Sequence, residues 1–381
     1  MFLLAASIIG LAASAITIKT LIGYTKIWWL YKLLISGAVL FCWFGHSLLS
    51  YCRHRDYLSL ELYKIFANLA YIGLGFGFVL LVLLLVRDFS WFATYGIAKI
   101  SKSGCCDKLN PFNTFYLNVA NIATVALAVV LTGWGMYQAL KQPEIKTVTV
   151  SDKAIVEPFK LVQLSDLHIN RTTPTAKIKN LVSRVNALNA DAVVITGDVV
   201  DEPPHQIKEQ MTALSALNSK YGTFMVFGNH DFYSGMLPWL KKFADYKLGP
   251  LFNNGVALDG KIYIAGIPDK SIEKMSSTIK INLPRALSGN KDNLYTVLLS
   301  HTPNFSEKPT SGYNLQLSGH THGGQIFPFH LLVKAANKYL AGLYTKGDGY
   351  IYVSRGAGFW GPPLRILAPS EITVINLQPQ K

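Results

Sequence analysis

Long runs of apolar residues dominate the N-terminal part of the chain. Crossing a bilayer takes ~20 mostly apolar residues, because only a helix satisfies its own backbone hydrogen bonds in lipid. Three runs meet this requirement: Leu33–Leu49, Leu69–Val86 and Leu117–Leu140. A fourth run, Phe2–Ile18, is shorter and lacks the basic start of a signal peptide. The pattern predicts an all-α transmembrane region over residues 1–145 with about four helices.

The pattern of apolar positions changes after residue 145. Residues 146–158 suit either a linker or a first strand. From there on, apolar runs of strand length alternate with amphipathic helical patterns, which predicts an α/β domain over residues 159–381. The predicted strands are Phe159–Leu164, Ala192–Thr196, Thr223–Phe227, Lys261–Ile267, Thr296–Leu299, Asn314–Leu317, Tyr350–Ser354 and Ile372–Leu377.

Charge is sparse and mostly basic. Only 15% of the residues are charged, against about 25% in typical soluble domains, and the net charge is +14. The basic excess belongs to both halves of the chain, and no Lys/Arg run marks a nucleic-acid-binding face. We therefore expect the partners to be anionic lipid headgroups or a phosphorylated substrate, and nucleic acid is disfavoured.

The side of the membrane is predicted from the basic residues that flank the helices. With four helices, six basic residues, including Lys108, lie at one membrane face. Five others, including Arg55, lie at the opposite face together with the large domain. The positive-inside rule then gives a slight preference for a multi-pass membrane protein with its large domain outside the cytoplasm. All four cysteines lie in the N-terminal half, so a disulfide scaffold or zinc ribbon in the large domain is excluded.

Side chains that bind metals follow five of the predicted strands. The five loops are Ser165–His168, Gly197-Asp198, Gly228–Asp231, Ser300–Pro303 and Ser318–Gly324. They contain five of the nine histidines. Ligands collect at the carboxyl ends of strands in open α/β sheets, and His, Asp and Asn suit divalent transition metals. Each motif alone is more often a turn or a helix cap, but five in series favour one metal site.

The order and content of these motifs resemble the calcineurin-like metallophosphoesterase family. Its pattern is Asp-x-His, Gly-Asp, Gly-Asn-His-Asp/Glu, His and Gly-His-x-His, and all five elements occur here in that order. The resemblance covers Phe159 to about Leu377. Gly319–Gln325 followed by Ser354–Gly358 is similar, more narrowly, to bacterial membrane-associated members. The resemblance implies a calcineurin-like sandwich of β-sheets flanked by helices, preceded here by the transmembrane region.

The resemblance also implies a dinuclear metal centre. By the resemblance, Asp166, His168 and His322 would hold the first metal. Asn229, His301 and His320 would hold the second, and Asp198 would bridge both. These oxygen and nitrogen ligands fit two divalent ions of manganese, iron or zinc. Such a pair can carry a bridging hydroxide that attacks phosphorus in line, while the cations neutralise charge on the phosphoryl oxygens.

Two further residues are implied to act in catalysis. By the resemblance, His230 is the acid that protonates the leaving oxygen, a role that suits an imidazole with an unperturbed pKa of ~6.5. The neighbouring Asp231 either orients His230 or caps the segment that follows. Both interpretations of Asp231 remain open at this stage.

The implied activity is that of a membrane-anchored, metal-dependent phosphoric ester hydrolase. The expected bond is a phosphomonoester, phosphodiester or pyrophosphate, and anchoring favours a lipid or envelope precursor as substrate. One alternative is a phosphodiesterase for nucleotides or nucleic acid, which would need an open basic groove. A second is an inactive membrane scaffold or sensor, which should have lost ligands, whereas all seven implied positions are present. The sequence indicates no oligomeric state.

Overall fold

The computed structural model describes most of the chain: residues 2–54, 58–102, 110–111, 113–306, 311–347 and 349–380. Arg55 and Lys108, which entered the count of basic residues, lie outside the described residues, as do Cys105 and Cys106. The chain divides into two compact units: Met1–Tyr137 with Gly361–Leu364, and Gln138–Trp360 with Arg365–Lys381.

Four helices make up most of the first unit: α1 (Phe2–Ile22), α2 (Trp29–His54), α3 (Leu60–Ile100) and α4 (Thr114–Leu140). Within the described part of this unit, three helical segments are long and apolar enough to cross a membrane: Trp29–Tyr51 of α2 and the whole of α3 and α4. They contain the three predicted runs. The apolar part of α1 is shorter, at Ser7–Ile22.

Helix α3 is much longer than the sequence pattern predicts. The apolar run ends at Val86 because Arg87 and Asp88 follow, yet the helix continues to Ile100. The two charges are accommodated because Arg87 pairs with Asp88 at 2.6 Å and donates to Asn121 Oδ1 of α4, also at 2.6 Å. At 1.5 Å per residue its 41 residues span about 60 Å. Since a hydrocarbon core is ~30 Å thick, α3 exceeds a membrane crossing.

Two six-stranded sheets form the framework of the second unit. The first, in spatial order, contains β1 (Glu144–Asp152), β12 (Glu371–Pro379), β2 (Phe159–Leu164), β3 (Ala192–Thr196), β4 (Thr223–Val226) and β5 (Leu248–Pro250). The second contains β10 (Gly342–Lys346), β11 (Gly349–Val353), β9 (Leu315–Ser318), β8 (Tyr295–Leu299), β7 (Ile262–Gly266) and β6 (Asn254–Leu258).

Short helices connect the strands: α5 (Thr175–Asn186), α6 (Lys208–Leu214), α7 (Asn229–Tyr233), α8 (Met236–Asp245), α9 (Ile272–Met275), α10 (Leu283–Leu287) and α11 (His330–Asn337). Helix α5 buries the face that the sequence pattern predicts, with Ile178, Leu181, Val182 and Val185 in the core. A strand such as β3 is buried on both faces and reads as a continuous apolar run for that reason.

The two sheets pack against one another through a shared apolar core. Leu161 and Val194 of the first sheet lie in one buried cluster with Ile264, Val297 and Leu317 of the second. A second cluster lies between the first sheet and helices α5, α6 and α8. The predicted α/β sandwich with flanking helices is therefore confirmed, and burial of each such side chain contributes roughly 1.5–3 kcal/mol.

The segment between the helices and the large domain is structured. The sequence left residues 146–158 open as a linker or a first strand, and in the structure Glu144–Asp152 form β1. This strand pairs in parallel with β12 along its whole length, from Glu144 opposite Glu371 to Asp152 opposite Pro379. The edge of the first sheet therefore begins within four residues of the end of α4.

Parallel pairing places the functional loops together at the carboxyl ends of the strands in each sheet. Strands β2, β3 and β4 run parallel to one another, and so do β7, β8 and β9. Backbone bonds then join the loops: Asp166 N donates to Gly197 O at 3.0 Å, and Gly319 N donates to His301 O at 3.0 Å. Residues that are distant along the chain are thereby held together without relying on their side chains.

Candidate metal centre

The loops after the strands bring all seven implied ligands into one buried cluster. Three side chains group together at one end of it, namely Asp166, His168 and His322. The Nε2 atoms of His168 and His322 are 3.1 Å apart, and His322 Nε2 is 3.5 Å from Asp166 Oδ1. His168 Nε2 also lies 3.7 Å from Asp198 Oδ2. These separations are those of ligands that can converge on one cation.

The second group lies on the other side of Asp198. His301 Nε2 is 3.2 Å from Asp198 Oδ2, from Asn229 Oδ1 and from His320 Nδ1. Asp198 therefore contacts both groups through the same oxygen, Oδ2. The arrangement agrees with the role of bridge that the family resemblance assigns to this carboxylate.

Hydrogen bonds outside the cluster determine which nitrogen faces inward. His301 Nδ1 donates to the backbone oxygen of Thr196 at 2.8 Å, and His168 Nδ1 donates to Asp201 Oδ1 at 2.9 Å. In its neutral form, each imidazole therefore directs the Nε2 lone pair into the cluster. Around neutral His301, that lone pair would face oxygens of Asp198 and Asn229 at 3.2 Å. A cation accounts for such a donor set, so the residues fit a pair of divalent metals.

The protonation equilibria of the cluster also suit metal binding. Burial alone would raise the pKa of Asp198, but the facing imidazole of His301 more than reverses this, and the pKa lies well below its usual range. Burial lowers the pKa of His320 to about 4, with the charge of His301 as the next cause. Burial likewise lowers the pKa of His322 well below its usual range. Burial alone would also lower the pKa of His168 and of His301, but the neighbouring carboxylates outweigh it and raise the pKa of His168 to about 9 and that of His301 well above its usual range. Cation binding at the cluster is therefore coupled to release of protons from these two imidazoles.

Backbone strain is concentrated at the ligands. Five of the seven adopt the left-handed region, with φ between 47° and 68°: Asp166, His168, Asp198, His320 and His322. Non-glycine residues rarely have positive φ, and each costs of order 1–3 kcal/mol when the region is sparsely populated. The surrounding sheet bonds maintain this strain, which is typical of functional sites.

Two glycines let the loops approach each other closely. A Cβ on Gly228 would collide with the carboxylate of Asp198, and one on Gly319 would collide with Ser165 and Asp166. Both collisions involve ligands or their immediate neighbours, so any side chain at these positions would displace the cluster. This explains why Gly precedes Asn229 and His320 in the two motifs.

His230 lies beside the cluster, with its ring centre 4.8 Å from that of His168. Its Nδ1 contacts Asp201 Oδ1 at 2.8 Å, and its backbone N donates to Asp198 Oδ1 at 2.8 Å. Since Nδ1 is occupied, Nε2 is the ring atom left to exchange a proton with a substrate. The implied role of His230 as an acid therefore fits its position.

Asp201 takes the place that the sequence interpretation offered to Asp231. Its Oδ1 accepts from both His168 and His230. Burial alone would raise the pKa of Asp201, but the two imidazoles lower it far below its usual range, so the carboxylate is charged at neutral pH. Sequence reasoning missed this residue, although a second Asp three positions after Asp198 in the same loop was a usable signal.

Asp231 does not contact the His230 ring among the described hydrogen bonds, so its interpretation as the orienting residue is wrong for this structure. Its Oδ1 accepts from the backbone N of Val199 at 2.8 Å and of Val200 at 3.0 Å, and its Oδ2 accepts from Gly228 N at 2.8 Å. Asp231 thus caps α7, the second of the two interpretations left open by the sequence, and ties the loop after β3 to the loop after β4. Burial, together with the charge of Asp198, raises the pKa of Asp231 to about 7.

A buried arginine supports the loop that carries His322. Arg365 is fully buried and donates to backbone oxygens of this loop and of the adjoining C-terminal segment: His322, Arg355, Gly356, Gly358 and Ala368. Burial lowers the pKa of Arg365 to about 10. Arg355, in the same segment, faces Glu371 through Nη1 at 3.5 Å.

Comparison with known proteins agrees with this geometry. The family model of the calcineurin-like phosphoesterases matches residues 159–324. The chain is 33% identical to an uncharacterised metallophosphoesterase of Campylobacter jejuni, over 93% of this chain and 95% of that protein. It is 31% identical to another of Helicobacter pylori, over 100% and 96%. A Bos taurus protein called a transmembrane protein with metallophosphoesterase domain is 32% identical, over 67% and 61%.

Proposed function

Because this chain belongs to the calcineurin-like phosphoesterase family, we propose that it is a membrane-anchored dinuclear-metal phosphoesterase. The observation that carries the proposal is the convergence of two ligand groups on one carboxylate oxygen, Asp198 Oδ2. Asp166, His168 and His322 would hold one cation, and Asn229, His301 and His320 the other. The nitrogen and oxygen ligands suit manganese, iron or zinc. When bound, the cations supply a nucleophile at neutral pH and neutralise charge on the phosphoryl group.

The protein's own part in the reaction centres on His230. Its Nε2 gives a proton to the leaving oxygen, while Asp201 accepts the Nδ1 hydrogen and holds the ring in place. The rings of Tyr233 and Trp360 stand edge-on to His230, at 5.7 Å and 5.9 Å between centres. These two contacts restrict the motion of the imidazole.

A variant at the shared carboxylate tests the proposal. We expect the full chain to bind about two metals and to hydrolyse a chromogenic phosphodiester. Asp198→Asn should lose metal and lower kcat at least ~100-fold, because removing a ligand affects both cations. Asp245→Asn, which removes an exposed carboxylate paired with Lys242, is the matched control. Metal bound without hydrolysis of any phosphoester would instead favour a scaffold or sensor.

We further propose that the substrate is a lipid or an envelope precursor. Three helices that are long and apolar enough to span a membrane keep the enzyme where such substrates lie. Lipid and metabolite profiling of cells that carry Asp198→Asn in place of the native protein should show one phosphorylated lipid accumulating. Accumulation of a soluble nucleotide would refute the lipid assignment in favour of a nucleotide phosphodiesterase.

We also propose that the second unit, here called the catalytic unit, lies outside the cytoplasm. The proposal rests on the slight excess of basic residues at the membrane face that does not carry this unit. The positive-inside rule places the more basic face in the cytoplasm. A C-terminal reporter that is active only outside the cytoplasm tests the assignment. Activity of a cytoplasm-specific reporter at the same position would reverse it.

A further inference from the structure

An exposed apolar surface lies on the catalytic unit, away from the predicted membrane helices in sequence. Five large apolar side chains form it, here called the apolar rim: Phe327, Phe329, Leu331, Leu332 and Leu367. Leu331 is 61% exposed and Leu332 is 65% exposed. None of the eight described residues of α11, which carries both leucines, is buried. A helix whose residues all stay at least partly exposed gains little stability from packing in its own domain.

Backbone contacts hold the two segments of the rim together. Phe327 N donates to Ile366 O at 3.2 Å, which brings Leu367 next to Phe327. The Phe327 ring stacks on His330, the first residue of α11, at 4.9 Å. Leu367 itself is 80% exposed and has φ of 59°. Positive φ is unfavourable for a leucine, and at an exposed position no packing of its side chain offsets that cost.

The rim belongs to the same block of structure as the metal centre. Gln325, three residues after His322, exchanges two hydrogen bonds with the backbone of Trp360, at 2.8 Å and 3.0 Å. The Trp360 ring faces the catalytic imidazole of His230. Arg365, two residues before Leu367, donates to His322 O at 3.3 Å. The segments that carry the rim are therefore hydrogen-bonded to the segments that carry His322 and Trp360.

The charge around the rim is basic. In the sequence, residues 322–347 contain three lysines and no Asp or Glu. Lys334 and Lys338 are exposed on or next to α11. Apolar side chains combined with lysines are the composition of interfacial helices that bind anionic lipid surfaces.

We propose that the apolar rim inserts into the headgroup region of an anionic bilayer, as a contact separate from the membrane-spanning helices. A bilayer is the partner that both features favour, because it accepts the five apolar side chains and its headgroups pair with the lysines. The spanning helices keep such a surface always close to the domain. Neither hydrolysis nor the identity of the substrate enters this argument, so the docking can fail or hold independently of the proposed function.

Photolabelling tests the docking on the full chain. The protein is reconstituted in vesicles of phosphatidylcholine and phosphatidylglycerol, with a diazirine in the acyl chain of the phosphatidylglycerol, and labelled peptides are identified by mass spectrometry. We expect label on peptides that contain Phe327–Leu332, besides the label on the spanning helices. Labelled spanning helices with an unlabelled rim would overturn the proposal. A parallel sample is treated with a bifunctional amine-reactive cross-linker, which can join the exposed Lys334 and Lys338 of two chains. Cross-links between two chains through these lysines, with the rim unlabelled by lipid, would overturn the proposal in favour of a second copy as the occupant.

A double variant gives the second measurement. Leu331→Glu with Leu332→Glu should lower labelling of the rim roughly tenfold, a change that corresponds to about 1.4 kcal/mol. Metal content should stay at the wild-type level, because neither residue is buried. Val156→Glu is the matched control, since Val156 is 70% exposed but lies before the amino end of β2, at the opposite end of the sheet from the site. Equal labelling of the rim in all three proteins contradicts the proposal.

Discussion

Replacement of Asp201 by Asn is the sharpest test of how the site performs proton transfer. The Asp201 carboxylate accepts from the Nδ1 atoms of His168 and His230, at 2.9 Å and 2.8 Å. The two imidazoles lower its pKa far below the usual range, so it carries a full charge at neutral pH. An amide of nearly the same shape removes that charge, so the two hydrogen bonds to Oδ1 lose their charged acceptor and are weakened.

The expected loss has two parts. A hydrogen bond to a charged group contributes roughly 1.5–3 kcal/mol, which at about 1.4 kcal/mol per tenfold corresponds to roughly 10- to 150-fold in kcat if the bond to His230 is lost. Loss of a partner that orients a metal-binding imidazole typically costs ~10–100-fold in metal affinity or activity. The loss that comes from the bond to His230 should persist at saturating metal. The loss that comes from weaker orientation of the metal-binding His168 should be relieved by added metal.

The assay separates the two parts by the leaving group. An alkyl phosphoester needs protonation of its leaving oxygen, whereas a nitrophenyl ester leaves readily without it. At saturating metal, Asp201→Asn should therefore lose much more activity on the alkyl ester than on the nitrophenyl ester. Asp245→Asn controls for the removal of a carboxylate elsewhere on the surface.

Two results would refute the reasoning about Asp201. Wild-type kcat on the alkyl ester at saturating metal would mean that Asp201 does not hold His230 for proton transfer. An equal loss on both esters that added metal fully restores would mean that Asp201 acts through His168 alone.

Three further predictions concern stability. Arg365→Ala should lower the free energy of unfolding of the catalytic unit by roughly 3 kcal/mol or more, because it leaves several buried carbonyls without donors; thermal unfolding measures it, and a change below 1 kcal/mol, about the value of one hydrogen bond, would contradict it. Burial, aided by the charge of Arg365, lowers the pKa of Lys177 to about 8, below the ~10.4 of an unfolded chain. The unfolded chain then binds more protons, so stability should rise between about pH 8 and 10.4, and Lys177→Met should flatten this rise. Chelation should lower the thermal midpoint of the catalytic unit, because metals bind the folded cluster and not the separated loops; an unchanged midpoint after removal of all metal would argue against the centre.

Sequence reasoning reached the outline of the fold because the signals it used are local. The apolar runs now seen as β2 and β3 coincide with their predicted bounds, since strands buried on both faces must be continuously apolar. Among the described residues, the three helices that are long and apolar enough to cross a membrane contain the runs predicted by length and apolarity alone. The end of α3 was missed because the partners of Arg87 lie partly in another helix.

In the candidate site, too, the residues selected by local signals were predicted, and the partner that depends on distant loops was not. Side-chain chemistry and position after a strand were enough to select Asp166, Asn229 and the histidines, because parallel strands bring their ends to one edge. The partner of His230 was not accessible in this way. Asp231 adjoins it in the chain, yet the helical turn at Asn229–Tyr233 directs that carboxylate to the amides of Val199, Val200 and Gly228.

The sequence by itself therefore determined the kinds of element, the division into an apolar N-terminal half and an α/β half, and the residue types of the metal cluster. Only the tertiary structure decided that Asp201 holds His230, that Arg365 supports the His322 loop, and that the apolar rim is exposed. The physical reason is that periodicity and composition act over neighbouring residues, whereas the partner of a buried polar group is chosen by the path of loops that are far apart in the chain.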